Sequence, residues 1–295
     1  MKLPDVRETR NFFFFPVVIL LFSAVLFPVS RLAAQEKTVT YYADPASVPT
    51  ALAVKITHLT ARVAFRPEKN LVEGTAEFTF RPFSRPADSI VFHTPDFQVT
   101  SVKIDGKEVK YLQSGPQLIV YPPAAVAREG RILIAYTATP LAGPIYFVGW
   151  KPEEAGKRKE IWAHRPMGWL PYMEGRITVD MYVTFDKHYT VFSNGERTGV
   201  QDNADGTRTW HYAMKKDHPF FSTALVIGDY KYQTDRTSGG TPLEYWYYSD
   251  MGDRVATTYK YTPQMFDFYE KELGVKYPYP VYREAGGIVE QDAGD

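Results

Sequence analysis

The chain has 295 residues, 44% of them hydrophobic and 15% aromatic, so its composition is that of a globular protein and not of a disordered one. Lys and Arg together number 34 and so do Asp and Glu, and this neutral balance gives no electrostatic footprint for nucleic acid or an acidic substrate. Cysteine is absent, which excludes disulfides, thiol nucleophiles and thiolate metal sites.

Lys2, Arg7 and Arg10 make a basic start, and Phe12 to Val29 is almost wholly apolar. Leu32-Ala33-Ala34 then precedes Gln35. Basic, apolar and small-residue segments in that order predict a secretory signal peptide over residues 1–34. The apolar run of about 18 residues also has nearly the length of a membrane span, so a retained anchor through residues 12–29 is the other reading. Either way the chain is expected to be exported: periplasmic, secreted or at the cell surface.

From Val54 the pattern has period two. Ala61, Val63 and Phe65 alternate with Arg62, Ala64 and Arg66, and Leu71 to Phe80 answers across the turn Arg66-Pro67-Glu68-Lys69-Asn70. This predicts an antiparallel hairpin. Further strands are expected at Ser89 to His93, Phe97 to Ile104, Leu118 to Tyr121, Arg131 to Tyr136, Ile177 to Phe185 and Tyr189 to Ser193. Arg197 to Asp202 and Thr207 to Ala213 flank Asn203-Ala204-Asp205-Gly206, a strong hairpin signal. Ser222 to Ile227, Tyr230 to Thr234 and Leu243 to Tyr248 close the series. Asp253 to Leu273 turns to helical spacing, with Pro263 expected to kink or split the helix and Gly274 to stop it. The predicted fold is mainly β: a multi-stranded antiparallel sheet domain over residues 35–238, then the start of an α-rich domain over 239–295.

The chemistry-bearing motifs are missing. No two of His58, His93, His164, His188, His211 and His218 stand four apart, so there is no His-Glu-x-x-His helix to bind zinc and supply a base. No Gly-x-Ser-x-Gly elbow and no glycine-rich phosphate loop occurs. Glu153 and Glu154 beside Lys157, Arg158 and Lys159 read as a solvated loop. Trp150, Trp162, Trp169 and Tyr172 crowd the least regular stretch, 143–176, either as a binding groove or, the plainer reading, as cover for a sheet edge. No catalytic or metal-ligating residue is assigned.

Several segments, in order, resemble the amino-terminal domain of the aminopeptidase N-type (gluzincin) zinc metallopeptidases. Gly143-Pro144-Ile145-Tyr146-Phe147 is similar to the family's Gly-x-Tyr strand, Ile161-Trp162-Ala163-His164 to its Trp-Thr-Gln segment, and Trp169-Leu170-Pro171-Tyr172-Met173-Glu174 to its aromatic-x-Pro turn. Val191-Phe192-Ser193-Asn194-Gly195 resembles Val-x-Ser-Asn-Gly, and Tyr277-Pro278-Tyr279-Pro280 the Tyr-Pro turn after the first catalytic-domain helix. The family's Gly-x-Met-Glu-Asn and His-Glu-x-x-His do not occur, and the last dozen residues are unlike its next strand. The resemblance implies the front part of an exported zinc aminopeptidase that forms one wall of a peptide-binding site. Without zinc ligands or base, this chain is expected to be inactive alone. Zinc would belong to the complete enzyme, and a peptide would bind once a catalytic domain completes the site. His164 takes the place of a Gln that lines the substrate's amino-terminal pocket in the family, while an ordinary edge histidine is its plain alternative. The rival reading is a stand-alone exported β-sandwich that serves as a binding or assembly module.

Overall fold

A computed structural model describes residues 52–83, 85–140 and 143–286. The predicted signal or anchor over residues 1–34, the stretch up to residue 51 and residues 287–295 lie outside the described residues.

The chain starts as predicted, with a hairpin of β1 (Val54–Arg66) and β2 (Leu71–Pro82). Asn70 takes the left-handed conformation that the tight connection requires. A register shift between Ile56 and His58 marks a bulge, and it changes the phase of β1. Ile56 and Leu59 therefore point inward, while His58, which follows Ile56 in a plain alternation, goes to the opposite face.

Next come β3 (Ile90–His93), β4 (Phe97–Ile104), β5 (Lys107–Glu108), β6 (Lys110–Ser114), β7 (Gln117–Tyr121) and β8 (Gly130–Ala138). They are followed by β9 (Ile145–Val148), β10 (Glu160–Ala163), β11 (Arg176–Asp186) and β12 (Thr190–Ser193). Then come β13 (Glu196–Asp202), β14 (Thr207–Pro219), β15 (Leu225–Gly228), β16 (Tyr230–Arg236) and β17 (Pro242–Tyr248). The periodicity breaks at the expected place into two helices, α1 (Gly252–Thr258) and α2 (Thr262–Leu273), with Pro263 in the first turn of α2. Gly274 caps α2 in the left-handed conformation, and β18 (Tyr282–Ala285) follows.

These strands form an eight-stranded sheet in the order β13-β14-β11-β1-β2-β8-β4-β5, a four-stranded sheet β12-β15-β10-β9, and two three-stranded sheets, β16-β17-β18 and β3-β7-β6. The pairing is antiparallel except at β1–β11 and β17–β18, which are parallel. One large core joins inward strand residues, among them Phe65, Phe78, Phe80 and Phe92, with Trp169 and Phe220 from the connections. Each such side chain contributes roughly 1.5–3 kcal/mol by leaving water. A smaller cluster of Leu243, Tyr245 and Val255, with Phe266 and Tyr282 against it, ties the helical tail to β17.

Candidate functional site

Residues 143–176 run from β9 through β10 to the start of β11, and they carry the candidate substrate residue, His164. β10 lies between β9 and β15, with Ile161 facing Phe147 and Ile227. The next residue in line, His164, donates its backbone N–H to Pro144 O at 3.1 Å. Its ring is exposed and stacks on Tyr146 at 5.6 Å between centroids and 11° between planes. Partial burial, with the nearby Arg165 charge, lowers its pKa, so the ring is neutral at physiological pH and can donate or accept. Across the chain, the Tyr172 turn is pinned to β3 by reciprocal backbone bonds with His93 at 2.7 and 2.9 Å, and the Tyr172 hydroxyl donates to Glu174.

The aromatic residues of this stretch mostly build structure. Trp169 is fully buried and packs on Phe65, and its backbone carbonyl accepts the Tyr136 hydroxyl at 2.6 Å. Trp150 meets Phe185 edge-on at 5.7 Å. These two rings thus belong to the core and line no groove.

Sequence reasoning missed the most constrained polar group here. Glu160 is 1% exposed, yet its carboxylate accepts Trp162 Nε1 at 2.6 Å, Tyr230 Oη at 2.7 Å and Tyr248 Oη at 2.6 Å. Three donors replace the water that a buried carboxylate loses. They come from β10, β16 and β17, so Glu160 fastens the four-stranded sheet to the sheet beside it. Nearby, Arg158 grips Asp250 with two bonds of 2.7 Å and lies 4.1 Å over the Tyr248 ring. No local motif marks Glu160; two of its three partners lie 70 and 88 residues away.

Two histidines share one carboxylate on the outer face of the large sheet. His211 Nε2 lies 2.7 Å from Asp180 Oδ1 and His58 Nε2 lies 3.5 Å from Asp180 Oδ2. Thr198 and Thr178 hold the other ring nitrogens, each at 2.8 Å. Among the described residues no group of three or more His, Asp and Glu side chains is arranged to hold a metal ion. The described residues thus do not fit a zinc centre, and no catalytic step runs through one here.

The last notable surface is on α2. Met265, Phe268, Tyr269, Leu273 and Val275 are exposed, Leu273 by 72%. Some of them, with Phe266 and Pro278, line an apolar cavity of about 380 Å³. Such a continuous apolar face on a surface helix is unusual for a free-standing monomer.

Among solved structures, the M1 zinc metallopeptidase from Deinococcus radiodurans matches with a TM-score of 0.66 at 19% identity, over 79% of this chain. The chain has the M1 zinc metallopeptidase fold. A mutant of that M1 enzyme bound to a Tyr-Ser-Ala substrate matches equally well, at 18% identity. Leucine aminopeptidase 2 of Vanderwaltozyma polyspora is 23% identical over 191 residues, 59% of this chain. No protein-family model matches. The chain spans about half of the solved M1 structures, 56%, and 28% of the yeast enzyme. The mainly β fold and the resemblance drawn from the sequence are thus met at the level of fold.

Proposed function

We propose that the chain is the amino-terminal portion of an exported zinc-dependent aminopeptidase and forms one wall of its peptide-binding site. The observation that carries this reading is the M1 fold joined to an α2 face that no described residue covers. In a complete enzyme that face packs against the catalytic polypeptide, which brings the zinc ligands and the base. The exposed, neutral His164, stacked on Tyr146, lies at the amino-terminal end of the peptide. Alone, the chain hydrolyses nothing. Residues 12–29 direct export, either as part of a cleaved signal or as a retained anchor.

The test begins at the gene. A reading frame beyond codon 295 should encode Gly-x-Met-Glu-Asn and then His-Glu-x-x-His; three frames without either would overturn the proposal. The purified chain with added zinc should leave an aminoacyl-nitroanilide uncleaved. Co-expression with the polypeptide from that downstream frame should produce cleavage, and His164→Ala should then raise KM more than it lowers kcat. Turnover by the chain alone would sink the claim of inactivity.

A further inference from the structure

A groove lies where the β13–β14 hairpin faces β16 and β17. Period two places Arg208, Trp210 and Tyr212 on one side of β14. Their partners across the ladder are Asp202, Val200 and Arg197, after a bulge between Arg197 and Gly199. Trp210 forms a buried floor, and across from it the edge strand β16 lines the groove with Tyr232 from one face and Lys231 from the other. The cavity measures about 560 Å³, within the range of small-ligand sites.

The charges in it are uneven. Arg208 is neutralised by Asp202 and leans over Trp210. Arg197 and Lys231 have no hydrogen-bond or ion-pair partner for their side chains among the described residues. The acidic side chains Asp186, Glu68 and Asp229 lie towards Tyr189. Of these, Asp186 binds His188 and Asp229 accepts from Ser249. Arg197 and Tyr232 also line a smaller adjoining cavity, so they sit where the two meet.

Tyr232 is held rigid. It stacks on Trp246 at 4.6 Å, and Trp246 stacks on Phe192 at 4.3 Å, a column of three rings that ends 41% exposed. A fixed flat ring in a groove that also holds two cations without partners among the described residues suits a ligand with both a ring face and a negative charge.

We propose that this groove binds an anionic saccharide, with its carboxylate at Arg197 and Lys231 and a sugar ring on Tyr232. The phenols of Tyr189 and Tyr247 meet its hydroxyls. The proposal is independent of the peptidase reading, because none of these residues belongs to the 143–176 stretch or to α2.

Calorimetric titration of the full chain tests it, with trigalacturonate as probe against neutral maltotriose and triglutamate. Trigalacturonate should bind saturably, and more weakly in 0.5 M salt, where exposed charges are screened. Arg197→Gln and Lys231→Gln should each weaken it by about tenfold, the worth of one charge-assisted contact. Tyr232→Ala should do the same while Tyr232→Phe, which keeps the ring column, binds as the parent does. Absence of saturable binding overturns the proposal. So does equal affinity for maltotriose, equal affinity for triglutamate, or indifference to both charge substitutions.

Discussion

Glu160 shows how much one side chain can be asked to do. Removing its carboxylate leaves two buried phenols and a half-buried indole N–H without an acceptor. We therefore expect Glu160→Ala to cost about 3 kcal/mol, read from urea unfolding, and Tyr248→Phe only about 1 kcal/mol. Equal losses would mean that packing, not hydrogen bonding, sets the stability there. His218 offers a second test. It is 2% exposed, its Nε2 pairs with Thr223 Oγ1 at 3.0 Å, and burial lowers its pKa, opposed in smaller measure by the backbone of Ile177. Burial also lowers His93 and, with Arg165, His164. A histidine with a folded pKa below its unfolded value carries no penalty above about pH 6.5. As pH falls from there to the folded pKa, the unfolded state binds the extra proton and stability drops. Melting temperature should thus decline between pH 7 and 5, and His218→Asn should flatten that decline whatever it does to the absolute value.

At the scale of elements, the turn Asn194-Gly195 controls the step from β12 to β13. Gly195 has φ of +79°, and a Cβ there would run into the Ala213 carbonyl. Gly195→Ala should cost at least about 2 kcal/mol by thermal denaturation, whereas Gly206→Ala, with positive φ but open space around it, should cost about 1 kcal/mol. The turn at Gly206, the β1–β2 hairpin and the break at Pro263 were legible in the sequence, because each is decided by residues a few positions apart. The bulge after Ile56 was not, since it depends on what β2 presents opposite. Nor was the parallel pairing of β1 with β11, whose inward residues alternate like those of any other strand. Glu160 was hidden for the same reason: next to three basic residues it looks solvated until β16 and β17 fold over it. His164 was singled out through the resemblance, and the structure adds its stacking on Tyr146.

For the whole molecule, the apolar face of α2 predicts behaviour in solution. Size-exclusion chromatography with light scattering should find the chain self-associating with rising concentration. Phe268→Glu with Leu273→Glu should return it to monomer with little change in melting temperature, since both side chains are more than half exposed. An unaltered association state would locate the contact elsewhere. The parallel pair at the centre of the large sheet has a consequence in time. His58 meets Thr178 across 120 residues of chain. A ribosome adding about 5–20 residues per second delivers β11 some 6–24 s after β1. Throughout that interval the β1–β2 hairpin exists with one long edge open, a template for any other strand nearby. Folding of this chain is therefore paced by its own synthesis, and the newborn hairpin is the form most in need of a chaperone.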